Sequence, residues 1–330
     1  MANTIGIRRE DKNRFERRVA LTPAHVARLV AGGLEIRVER FERRAYPDEE
    51  YARAGARLAD DVGDCDLVLG IKEMPARCFR EGGAYLFFSH TIKGQPYNMP
   101  MLRALAERGC TLLDYELVTD DAGRRLVFFG RHAGLAGMID TLWTIGRRLD
   151  AQGERTALAD LRPAHAYADL EEAREAVRAA GARLAAKGVP ARHRPFVVGI
   201  TGYGNVSRGA QEILDLVPHV KVAPEKLADF VAANGDLANA LVVVVYREEH
   251  LVRPAQPGRV FSLDDYYAYG ERYESAFGPH LPLLGALVNC IYWDERYPRL
   301  ADARALRRLF AGPEPPRLVA VGDKIGRAPC

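Results

Sequence analysis

Residues 196–216 constrain the fold more than any other part of the chain. An apolar run, FVVGIT (196–201), meets the turn Gly202-Tyr203-Gly204 and passes into a helical pattern over 211–216. Strand, Gly-x-Gly turn and helix, in that order, form the dinucleotide-binding arrangement of a doubly wound sheet. Gly202 allows the tight turn and Gly204 lets a pyrophosphate approach the backbone. Asn205 and Val206 lie at the helix start, where unpaired N–H groups can face the phosphates. Ser207 replaces the third glycine of the usual fingerprint and is small enough for close packing, with Gly209 two residues on. In this setting a nicotinamide dinucleotide is the expected cofactor, against a plain structural turn. An acidic residue about 20 residues further on would hold the ribose hydroxyls of NAD. Residues 219–225 read HVKVAPE, with Lys221 nearby and Glu225 the only acid. That pattern leans towards NADP, with NAD as the alternative.

The rest of the chain supports an α/β reading. In the first 130 residues strands are expected at 4–7, 34–38, 66–71, 84–89, 111–115 and 126–129, with a helix opened by Thr22 and Pro23. Helical patterns follow at 133–149 and 170–187, then a proline-bounded linker at 190–195. Later apolar runs at 241–246, 287–293 and 318–321 complete a second sheet. The expected fold is therefore two Rossmann-like α/β domains with mostly parallel sheets and a cleft between them. Residues 1–140 form the substrate domain, 141–194 the connecting helices and 195–330 the dinucleotide-binding domain.

Composition narrows the partners. With 48% hydrophobic and 28% charged residues, the chain can bury a substantial core. The 47 basic residues nearly balance 44 acidic ones and form no long run, so nucleic acid is not an expected partner. No apolar stretch reaches the length of a membrane span, and MANTIGIRRE lacks a secretory pattern, so a cytoplasmic protein is expected. The five cysteines contain no C-x-x-C pair, which argues against a disulfide framework or a metal site. Only seven of the basic residues are lysines. Lysine can release its proton when buried and arginine cannot, so each lysine is a candidate for chemistry.

Three polar residues follow apolar strands, where sites in α/β sheets usually lie. They are Lys72, His90 and Glu116. A lysine and a histidine facing one cleft could act as a general acid–base pair, with Glu116 orienting the histidine. The plainer alternatives are a Lys72–Glu73 ion pair and a hydrogen-bonded core His90. Arg17 and Arg18 could clamp a carboxylate or be solvated.

Six segments occur together in order: IGIRREDKN (5–13), ERRVALTP (16–23), GIKEMP (70–75), FFSHTIK (87–93), FGRHAGLAG (129–137) and GYGNVSRGAQ (202–211). Together they closely resemble the lysine–ketoglutarate reductase part of the bifunctional aminoadipic semialdehyde synthases. More distantly the chain resembles NAD-dependent saccharopine dehydrogenase and the alanine dehydrogenase/transhydrogenase family. The resemblance implies reductive condensation of L-lysine with 2-oxoglutarate by NADPH to give saccharopine. It also implies that Lys72 and His90 are the acid–base pair and that Glu116 is the carboxylate near the histidine. By the same resemblance Arg18 meets a substrate carboxylate, while Gln95, Arg125 and Phe129 line the substrate pocket. Arg124 faces the cofactor, and Asp323, in RLVAVGD (317–323), faces both cofactor and substrate.

In relatives the 317–323 strand continues into a Ser- and Gly-containing loop and the chain later returns to the first domain. Here it departs to KIGRAPC (324–330), so a truncated dinucleotide-binding domain is expected. The alternatives are an amino-acid dehydrogenase of alanine dehydrogenase type and a non-catalytic nucleotide-binding protein.

Overall fold

The computed structural model of the chain describes residues 4–92, 94–293, 295–312 and 315–323; the expected departure after Asp323 lies outside them. The chain divides into two compact units, one up to Phe128 and one from Phe129 onwards.

The first unit contains β1 (Thr4–Ile7), α1 (Pro23–Ala31), β2 (Glu35–Glu39), α2 (Asp48–Arg53), β3 (Arg57–Ala59), β4 (Leu67–Leu69), β5 (Ala84–Phe87), α3 (Met99–Glu107) and β6 (Thr111–Asp114). The strands form one parallel sheet in the order β3-β2-β1-β4-β5-β6. Alternate side chains serve opposite faces, as the two-residue period of a strand requires. In β5, Tyr85 and Phe87 join Val68, Phe79 and Leu105, while Leu86 packs with Ile7, Ile36 and Tyr51 on the other side. Helix α1 starts where expected because Thr22 accepts the His25 N–H and Pro23 occupies the first turn. The run 126–129 forms no strand. Its apolar side chains Leu126, Phe128 and Phe129 are exposed, and an isolated Thr119–Arg125 bridge is the only pairing nearby among the described residues.

The second unit contains α4 (Gly130–Ala151), α5 (Leu170–Lys187), β7 (Val197–Thr201), α6 (Asn205–Leu214), β8 (His219–Lys221), α7 (Leu227–Ala233), β9 (Leu241–Tyr246), α8 (Glu248–Leu251), β10 (Val252–Pro254), α9 (Leu263–Ala268), β11 (Tyr273–Ser275), β12 (Ala286–Asn289), α10 (Ala303–Phe310) and β13 (Ala320–Asp323). Its main sheet is parallel in the order β13-β12-β7-β9-β8, with β10 and β11 as a separate antiparallel pair. Val198, Ile200, Val243 and Val288 pack under α4, α5 and α6. Val197, Val242, Val244 and Leu287 pack on the other face with Leu227, Tyr266, Phe277 and Leu281.

Helices α4 and α5, expected as a connection, are thus built into the second unit. The crossing of α4 and α6 explains why. A Cβ on Gly134 would lie 1.9 Å from the Val206 carbonyl oxygen, and one on Gly209 would lie 2.0 Å from the Arg131 carbonyl oxygen. Two helices that meet backbone to backbone pack as one body, and glycine alone permits it. Gly209 therefore performs the close packing expected of Ser207, which is fully buried and accepts a hydrogen bond from Gln211.

Candidate active site

In the first unit the candidate residues follow the C-terminal ends of adjacent parallel strands. Residues 71–73 follow β4, 88–91 follow β5 and 115–117 follow β6. The buried carboxylate of Glu10 accepts the backbone N–H groups of Ile71 at 2.7 Å and Lys72 at 3.0 Å. It fixes the backbone that carries Lys72, whose side chain is half-buried.

His90 has φ +50°, the only non-glycine residue with positive φ among those described. A histidine is strained there, and such strain persists only where neighbours enforce it. Asn98 is the enforcer. Its buried amide donates to the carbonyls of Ser89 at 3.0 Å and His90 at 3.3 Å, and to Glu73 Oε1 at 3.2 Å. His90 Nδ1 lies 3.0 Å from the same Glu73 oxygen. With Glu73 ionised, Nδ1 donates and Nε2 is left to exchange a proton elsewhere.

The carboxylate bonded to His90 is therefore Glu73 and not the expected Glu116. Glu116 instead accepts from Arg125 at 3.1 Å, and the Arg125 guanidinium lies 5.5 Å from the centre of the Phe88 ring. The alternative Lys72–Glu73 ion pair does not form; the lysine near Glu73 is Lys12, at 3.5 Å.

Burial alone would raise the Glu73 pKa, but the hydrogen bonds from His90 and Asn98 hold it at about 2. Because this lies below the ordinary 4.5, the stability it contributes is fully present above pH 4.5. It is lost as pH falls from there through 2. The stability difference between wild type and Glu73→Gln is expected to shift by about 3 kcal/mol over that window. Urea unfolding at successive pH values checks this, and a pH-independent difference would refute it.

Arg18 and Arg125 are each braced by an acid, Arg18 by Glu16 and Arg125 by Glu116. Arg18 donates from Nε and Nη2 to Glu16 at 2.8 and 2.6 Å. Burial opposes ionisation of Glu16, but Arg18, with the Lys72 charge adding, holds it below the usual carboxylate range. Arg17 instead donates to the Arg43 carbonyl. The side-chain oxygen of Gln95 is buried with no hydrogen-bond partner among the described residues. Arg124 is largely exposed and donates to Asp120 at 2.8 Å. Phe129 stands before α4 and belongs to the second unit.

Sequence reasoning missed Glu10, Asn98 and the role of Glu73. Asn98 precedes α3, where an asparagine reads as a helix cap, yet its side chain does not cap that helix.

In the second unit Gly202 has φ +82°, and a Cβ there would lie 2.6 Å from Ile291 Cγ2. A Cβ on Gly204 would meet nothing within 4 Å, so the backbone at the start of α6 is open. The Arg208 N–H is bonded to the Gly204 carbonyl, which leaves the N–H groups of Asn205, Val206 and Ser207 without intrahelical acceptors. A cavity of about 290 Å³ adjoins this turn, lined among others by Gly202, Tyr203, Gly204, Glu248 and Tyr266. An open glycine turn, a helix start and an adjoining cavity fit a dinucleotide.

Thr201, Asn289 and Asp323 link the ends of β7, β12 and β13 by hydrogen bonds of 2.7 and 3.3 Å. Asp323 lines a different cavity, of about 240 Å³, with Trp293 and Arg299. Among the described residues no group of three or more His, Cys, Asp or Glu side chains is placed to hold a metal, and no helix is long and apolar enough to cross a membrane.

The family of the alanine dehydrogenase/PNT N-terminal domain matches residues 6–136. The chain is 39% identical over 321 residues to alpha-aminoadipic semialdehyde synthase of Arabidopsis thaliana, covering 92% of the chain and 30% of that protein. The mitochondrial alpha-aminoadipic semialdehyde synthase of Mus musculus is also 39% identical, over 92% of the chain and 33% of its own length. The chain thus spans about a third of the length of these relatives. Saccharopine dehydrogenase [NAD(+), L-lysine-forming] of Neurospora crassa is 36% identical over 142 residues, 42% of the chain and 38% of that protein. Among solved structures, L-alanine dehydrogenase matches with a TM-score of 0.56 at 18% identity, over 92% of the chain and 71% of its own. The transhydrogenase from Sinorhizobium meliloti matches with a TM-score of 0.50 at 17% identity, over 92% and 74%. These likenesses agree with the expected α/β fold of parallel sheets.

Proposed function

We propose that the chain is an oxidoreductase of lysine degradation, a lysine–ketoglutarate reductase that joins L-lysine to 2-oxoglutarate and reduces the imine to saccharopine with NADPH. The observation that carries the chemistry is the strained His90, its Nδ1 held by an ionised Glu73, one residue after Lys72. Identity of 39% to the aminoadipic semialdehyde synthases over 92% of the chain supports the choice of substrates.

Lys72 and His90 are the acid–base pair of this proposal. One removes a proton from the lysine ε-ammonium so that the neutral amine can attack the keto carbon. The other returns a proton to the carbinolamine hydroxyl as water leaves. Arg18 and Arg125 bind the carboxylates of the keto acid, preorganised by Glu16 and Glu116. Glu116 thereby positions Arg125 and leaves the histidine to Glu73. Gln95 and Phe129 line the substrate pocket, and Arg124 and Asp323 face the cofactor. Bound at residues 202–207, NADPH supplies the hydride.

Following NADPH oxidation by the purified chain with L-lysine and 2-oxoglutarate tests the reading, with pyruvate, ammonia and NADH as a parallel control. Turnover that requires both lysine and 2-oxoglutarate supports it. Turnover with pyruvate and ammonia alone would place the chain among amino-acid dehydrogenases of the alanine type. A folded chain that binds NADPH but turns over neither pair would be a nucleotide-binding protein only.

A further inference from the structure

In doubly wound sheets the adenosine ribose is read from the end of the strand beside the glycine-turn strand. Spacing along the chain assigns that place to residues 219–225, but the sheet assigns it elsewhere. The strand beside β7 on that side is β9, and β8 lies beyond it at the edge. The Cα register pairs Thr201 of β7 with Tyr246 of β9, so residues 247 and 248 follow beside the glycine turn. The Gly202 N–H is bonded to the Tyr246 carbonyl at 2.8 Å, which fixes that proximity.

Arg247 is exposed, and its guanidinium carbon lies 4.9 Å from the centre of the Tyr203 ring, within the turn itself. A cation held over an aromatic ring keeps its direction while its N–H groups remain available to an anion. Glu248, the acid that would otherwise hold ribose hydroxyls, is buried, and its Oε1 accepts the Tyr267 hydroxyl at 2.7 Å. Lys221, on the edge strand, pairs with Asp215 at 3.2 Å.

Resting on the reading that this chain binds a nicotinamide dinucleotide, we infer that Arg247, steadied by Tyr203, receives the 2′-phosphate of NADP and makes the site prefer NADPH to NADH. Arg247 is a specificity-determining residue, and Lys221 is not.

The test measures dissociation constants of NADPH, NADH and 2′,5′-ADP by calorimetry for wild type, Arg247→Ala and Lys221→Ala. Loss of one charge-assisted phosphate contact predicts that Arg247→Ala binds NADPH and 2′,5′-ADP about 10- to 100-fold more weakly. NADH affinity should change less than about threefold, and Lys221→Ala should match wild type for all three ligands. Equal weakening of NADPH and NADH in Arg247→Ala, or no change in either, overturns the assignment while leaving the cofactor reading in place. A selective loss of NADPH binding in Lys221→Ala likewise overturns it. Wild-type protein that binds neither dinucleotide refutes the cofactor reading itself, and the assignment with it. Both side chains sit on the surface, and matching thermal unfolding of the variants separates ligand effects from misfolding.

Discussion

Lys72→Met is expected to lower the lysine- and 2-oxoglutarate-dependent turnover by about 10²- to 10⁴-fold, the usual worth of a positioned acid or base. Its dissociation constant for NADPH should stay close to that of wild type. The argument is local. The backbone at residue 72 is held by Glu10, so methionine, of similar length, can occupy the half-buried position without disturbing it. What disappears is the ammonium. Measuring kcat and NADPH binding on the same preparation checks the claim. A variant that retains turnover within a few-fold of wild type would remove Lys72 from the chemistry.

The second large effect concerns packing. Gly134→Ala is expected to destabilise the second unit by about 3 kcal/mol, because its Cβ would lie 1.9 Å from the Val206 carbonyl and force α4 and α6 apart. For a body of this size that lowers the melting temperature by roughly 6–12 °C. Gly204→Ala is the informative contrast. Its Cβ meets no protein atom within 4 Å, so it should melt near wild type while binding dinucleotide more weakly. Calorimetric melting of the two variants side by side decides the matter, and equal melting temperatures would show that the helix contact relaxes at little cost.

Much of the fold was legible because its strongest signals are local. Thr22 and Pro23 mark a helix start, and the apolar run 241–246 is too continuous to be anything but a buried strand. The misreadings share one cause: they needed knowledge of who stands beside whom. β9 enters the sheet interior because Leu241–Tyr246 is apolar on both faces, whereas His219–Lys221 is short, polar and half exposed. That contrast lies in the sequence, but the rule that the next strand in the chain reads the ribose overrides it. At the candidate site, Lys72, His90 and the glycine turn were found through strand ends and motif. Glu73, Glu10 and Asn98 were not, because each acts across 8 to 62 residues of sequence with no periodic pattern to announce it. The run 126–129 has the composition of a strand but forms none among the described residues.

The short margins of the two sheets bear on how the chain survives at high concentration. Among the described residues the marginal strands β3, β6 and β8 are each three or four residues long, too little ladder to template growth by another chain. Just inside one margin lies LVVVVY (241–246), a run with the composition of an amyloid core. Its first three residues pair with β8, the only strand beyond it on that side among the described residues. Fraying of three residues, His219 to Lys221, would therefore bare the edge of that run, which makes β8 a gatekeeper as well as a strand.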